Sequence, residues 1–168
     1  MSQQPTRAVI DGFEFAAAGS TQQGVLPLSS FARLRDLLVT DAGEAAYAVE
    51  GVRDTLGRPS LSLKVQATLQ LRCQRCLEPL ALAVDADSLL VLAASQAEIE
   101  ADPETVDAPD RVLAGHEMRV AELVEDELIL AVPYAPRHEE CEAAQVAPPA
   151  DEKPLPFAGL KGLLRNKH

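Results

Sequence analysis

The sequence predicts an α+β fold: a small antiparallel β-sheet with a long central hairpin, packed by two or three helices. Three observations predict it. Over residues 61–73, Leu61, Leu63, Val65, Ala67, Leu69, Leu71 and Cys73 alternate strictly with Ser62, Lys64, Gln66, Thr68, Gln70 and Arg72. That is the period of a strand with one buried face. The alternation resumes after Pro79 with Leu80, Leu82, Val84 and Ala86 against Asp85 and Asp87. Strands over 61–73 and 80–92 therefore form an antiparallel hairpin. Finally, Val120, Leu123, Val124, Leu128 and Ala131 fall on one face of a helix over 119–131, which Pro133 ends.

The remaining elements follow in chain order. Asp11 stands at an N-cap position with Glu14 three residues on, a variant of the capping box, so a short helix over 13–18 is expected, stopped by Gly19. The same stretch, Val9 to Phe15, also reads as a strand. Residues 24–28 form a short extended piece. Ser29 or Ser30 then caps a helix over about 30–38, with Phe31, Leu34, Leu37 and Leu38 at helical spacing. Tyr47 and Val49 mark a third strand over 45–51. Residues 95–115 form an acidic loop. A single α+β domain is expected over 1–141. Residues 142–168 are expected to be a Pro-rich linker and a basic amphipathic tail, with Phe157, Leu160, Leu163 and Leu164 recurring at helical spacing.

Composition bounds the function. Of 168 residues, 15 are Lys or Arg and 26 are Asp or Glu, for a net charge of −11. A chain this acidic neutralises few phosphates, which excludes broad wrapping of nucleic acid, and suits a basic partner. The charge is segregated. Residues 1–92 carry a net −2, residues 93–152 a net −13 and residues 153–168 a net +4. The acidic part reads either as a solvated surface or as a docking face, in which Glu125, Asp126 and Glu127 with Phe157 and Leu160 of the tail would meet a partner. Glu127 falls inside the apolar stripe of its helix. It needs an edge position or a partner such as Arg72 or Arg75. A small RNA footprint would use Lys64, Arg72, Arg75, Lys161, Arg165 and Lys167. No apolar run reaches the ~18 residues of a membrane span, and the N-terminus does not read as a signal peptide. Three cysteines without an export signal predict a reducing, cytoplasmic setting.

The cysteines carry the one constellation with chemistry. Cys73-x-x-Cys76 sits at the expected hairpin turn, and His138-x-x-Cys141 follows the last helix. If the helix returns over the sheet, the two pairs meet as a Cys3His zinc site. The competing readings are separate, partly buried thiols or a redox pair, which usually needs a helix N-terminus to lower the first thiol's pKa. No motif for a hydrolase, nucleotide-binding or zinc-protease site is present, so no small-molecule substrate is predicted.

The run Leu71-Arg72-Cys73-Gln74-Arg75-Cys76-Leu77-Glu78-Pro79, the helix Leu123 to Ala131, the run Val132 to Cys141 and the terminal Pro156-Phe157-Ala158-Gly159-Leu160-Lys161-Gly162-Leu163 stand in an order and at separations that resemble one family. It is the YceD family of bacterial large ribosomal RNA subunit accumulation proteins. The resemblance spans roughly residues 9–165. It implies a non-enzymatic, cytoplasmic protein acting in synthesis, processing or stability of 23S rRNA, with a large-subunit ribosomal protein or a 23S rRNA precursor as partner. Cys73, Cys76, His138 and Cys141 match the family's pattern, which implies a shared site without naming the metal. The chain departs from the family at Arg119, where Asp is frequent, so the helix N-cap has to lie elsewhere. The alternative function is a zinc-binding adaptor or thiol redox sensor using Cys73 and Cys76.

Overall fold

The computed structural model describes residues 9–101 and 109–142. The chain runs through β1 (Val9–Ile10), α1 (Gly12–Ala17), β2 (Thr21–Pro27), a 3-10 turn (Leu28–Ser30), α2 (Ala32–Arg35), β3 (Glu44–Arg53), β4 (Pro59–Arg72) and β5 (Pro79–Ala93). It continues through α3 (Gln96–Ala101), β6 (Arg111–Leu113), β7 (Met118–Arg119) and α4 (Val120–Ala131). Five strands form one sheet in the order β2-β3-β4-β5-β6, and β1 pairs with β7 in a two-residue ribbon.

The hairpin follows the alternation. β4 and β5 pair antiparallel from Ser60↔Val91 to Arg72↔Pro79. Leu61, Leu63, Val65, Leu69 and Leu71 are buried, as are Tyr47 and Val49 on β3. Lys64, Gln66, Thr68 and Arg72 face out. Val120, Val124 and Leu128 of α4 close over the apolar side with Phe31, Leu34 and Ala16. The core is thus almost wholly aliphatic.

α1 begins as expected: Asp11 is its N-cap and accepts from the Glu14 N–H at 2.9 Å. It lies so close to β3 that a Cβ on Gly51 would stand 2.2 Å from the Phe15 carbonyl oxygen, so only glycine admits the crossing.

Four expectations are corrected. The sheet is mixed, because β6 joins β5 in parallel. The segment expected as a loop over 95–115 contributes α3, β6 and an edge to the sheet, while residues 102–108 lie outside the described part. The helix expected over 30–38 is a 3-10 turn followed by the single turn of α2. Ser30 does not cap it, because its hydroxyl donates back to the Pro27 carbonyl at 2.7 Å. Leu37 is left 43% exposed instead of packed. The N-cap of α4 does not lie elsewhere, contrary to the expectation from the sequence: α4 starts at Val120 and Arg119 itself is the N-cap, without a side-chain cap. No helix of the described residues is long and apolar enough to cross a membrane.

Candidate metal centre

The tip of the β4–β5 hairpin is a knuckle built by its own backbone. The Cys73 N–H donates to the Glu78 carbonyl at 2.9 Å, and the Leu77 N–H donates to the Cys73 carbonyl at 3.0 Å. Leu77 turns the chain back with φ +67°, a left-handed conformation that a leucine adopts only when its surroundings hold it there. The Arg75 N–H points at Cys73 Sγ from 3.5 Å. The other half arrives after α4, where the turn from Pro133 brings the chain back so that the Gln74 N–H donates to the Pro136 carbonyl at 2.8 Å.

This contact sets the four side chains together. Cys73 Sγ lies 3.8 Å from Cys141 Sγ, and Cys76 Sγ lies 3.4 Å from His138 Nδ1. The four ligand atoms all lie within 4.8 Å of one another. A tetrahedral zinc with Zn–S of about 2.3 Å and Zn–N of about 2.0 Å separates two sulfurs by about 3.8 Å, and a sulfur from a nitrogen by about 3.5 Å. The cluster therefore has the donor set and the spacing of a structural metal site. All three cysteines are free thiols.

The histidine is oriented for this. Its Nε2 lies 3.1 Å from the Pro79 carbonyl oxygen, which can only accept, so Nε2 carries the proton and Nδ1 turns its lone pair to the sulfurs. Burial pushes the Cys73 thiol up. The backbone N–H groups of Cys76, Arg75 and His138, together with the Cys76 side chain, outweigh burial and lower it to about 5. Cys141 moves the other way, raised by burial and by the neighbouring sulfurs of Cys73 and Cys76. One thiolate is easy to form here, and the next is opposed by the first. A divalent cation removes that opposition.

The expected partner and RNA residues are not gathered in the same way. Glu125 is 6% exposed and works inside the protein. Its Oε1 accepts from the N–H groups of Arg33 at 2.7 Å and Leu34 at 3.1 Å, and its Oε2 accepts from the Arg33 guanidinium at 3.0 and 3.1 Å. Glu127 is 7% exposed and accepts from Ser88 Oγ at 2.6 Å, not from Arg72 or Arg75. Both carboxylates thus face inward. Asp126 remains at the surface, paired with Arg33 at 2.6 Å. The exposed carboxylates beside it are Glu117 and Glu122. Lys64 is exposed and paired with Asp87 across the hairpin at 2.9 Å. Arg72 stands eight residues further along the same outer face and Arg75 sits in the knuckle. Phe157, Leu160, Lys161, Arg165 and Lys167 lie outside the described residues.

Two functional details had no local signal. The Glu125 clamp joins groups more than ninety positions apart. The Pro79 carbonyl that orients His138 is a backbone atom. His116 is exposed and contacts Asp11, the N-cap of α1, through Nδ1.

A family model described as "Large ribosomal RNA subunit accumulation protein YceD" matches residues 61–164, a span that holds both halves of the cluster. No solved structure matches the chain.

Proposed function

The chain belongs to the YceD family, whose name points to accumulation of large-subunit ribosomal RNA, and on that premise we propose that it is a non-enzymatic assembly factor for the 23S rRNA particle. It acts through a basic large-subunit protein or precursor rather than by wrapping RNA. The observation that carries this is the segregated charge: a net −13 over residues 93–152 against −2 over residues 1–92. The exposed carboxylates Glu117, Glu122 and Asp126 present part of that charge on α4 and the turn before it, Glu122 beside Arg119 and Asp126 beside Arg33. Recovery of the tagged chain from lysate at low salt tests the reading. Large-subunit precursors or a basic ribosomal protein should co-purify and leave as salt rises. Recovery of neither would refute it.

In the same reading Cys73, Cys76, His138 and Cys141 hold a structural zinc. When bound, the ion supplies a cross-link between the hairpin tip and the segment after α4. A thiol sensor is the second reading, favoured only by the lowered Cys73 thiol. Elemental analysis with thiol titration separates them. Zinc near one per chain with thiols that react only after chelation supports the clasp, and freely reacting thiols without metal support the sensor.

A further inference from the structure

A groove of about 410 Å³ runs beside the first turns of α4. Its apolar lining is Leu113, Met118 and Leu123, and its polar lining is Glu117, Glu122 and Asp126 with Arg119. Arg119 pairs with Glu122 at 3.4 Å and Asp126 pairs with Arg33, while Glu117 has no such cation beside it among the described residues. Leu113 is 55% exposed although it belongs to a sheet edge. A lining that is part apolar and part acidic fits a segment that is apolar on one side and basic on the other.

The chain supplies such a segment. Residues 153–168 carry four basic residues and no acidic one, and Phe157, Leu160, Leu163 and Leu164 recur three and four apart with Lys161, Arg165 and Lys167 between or beyond them. Fourteen residues lie between Glu142, the last described, and Phe157. Fully extended, they reach about 50 Å, whereas the 12 residues of α4 are about 18 Å long. A tether of this length holds the segment near the groove at roughly millimolar effective concentration.

We propose that residues 157–165 dock in this groove of their own chain, with Phe157 and Leu160 on the apolar lining and Lys161 and Arg165 against the carboxylates. A basic partner using the same carboxylates has to displace the tail. The docking itself requires no partner, so its failure leaves the function proposed above standing.

Zero-length carbodiimide cross-linking of the full chain tests it. Monomeric product should contain Lys161 or Lys167 joined to Glu117, Glu122 or Asp126. The yield should fall at least tenfold in a Phe157→Ser/Leu160→Ser variant whose far-ultraviolet circular dichroism matches that of the unchanged chain. It should fall similarly in Glu117→Lys/Glu122→Lys, and also as salt is raised. Three results would overturn the proposal: links from the tail to Asp36 or other carboxylates instead, links found only between isotopically distinct copies, or an unchanged yield in the tail variant.

Discussion

Cys73 and His138 carry different burdens within one cluster. Cys73 is fully buried, and the backbone N–H groups of Cys76, Arg75 and His138 lower its thiol pKa. His138 is half-buried and is aimed by a single contact to the Pro79 carbonyl. Cys73→Ser and His138→Ala should each reduce bound zinc from near one per chain to under a tenth of that, read by elemental analysis. His138→Cys should retain it, since four thiolates also form a tetrahedral site. Glu125 is a different kind of residue. It satisfies two backbone N–H groups of α2 that have no helical partner, and a guanidinium besides. Glu125→Ala strands those donors and should cost about 1–3 kcal/mol, measured by urea unfolding, with metal content unchanged. The cysteine cluster could be read from spacing because ligand pairs are local in the sequence. Glu125 could not, because its partners are backbone groups brought to it by tertiary structure. The stripe of α4 reveals only which side chains are apolar.

At the scale of elements, the hairpin was legible because thirteen alternating residues leave one face to bury, and a register shift would turn every leucine to solvent. α2 was not. Its apolar spacing promised two turns, but Ser30 closes on Pro27, and the donors at the helix start take their acceptor from α4. β6 is three residues long, too short to show a period. α1 is held by a local cap and by a close crossing, and each gives an expectation. Asp11 lies below the usual carboxylate range because it accepts the Glu14 N–H and meets His116. A carboxylate lowered on folding stabilises above its unfolded value near 3.8 and loses that contribution as pH falls through the folded value. Asp11→Ala should therefore lower the melting temperature at pH 7, and the difference should close as the pH is taken below that range. Gly51→Ala forces a methyl against the Phe15 carbonyl. It should cost about 3 kcal/mol by displacing α1 from β3, again read by urea unfolding.

At the scale of the whole molecule, the apolar core and the Cys3His cluster occupy separate places. The core lies between one face of β2–β5 and the helices α1, α2 and α4, with Leu61, Leu63, Val65, Val120, Val124 and Leu128 fully excluded from water. The Cys3His cluster stands at one end of this body, beyond the last β4–β5 pair, Arg72↔Pro79. A small zinc finger has little core without its ion and unfolds on chelation, whereas here the apolar burial does not pass through the cluster. Removing metal should free the hairpin tip and the segment after α4 while the sheet persists. Hydrogen exchange after treatment with a strong chelator should show faster exchange over about 73–78 and 133–141. The amides of β3 and the paired part of β4 should keep their protection, and far-ultraviolet circular dichroism should be nearly unchanged. Collapse of the sheet on chelation would mean that the clasp, not the core, holds the domain. Identical exchange with and without chelator would mean that Cys73, Cys76, His138 and Cys141 hold no ion to remove.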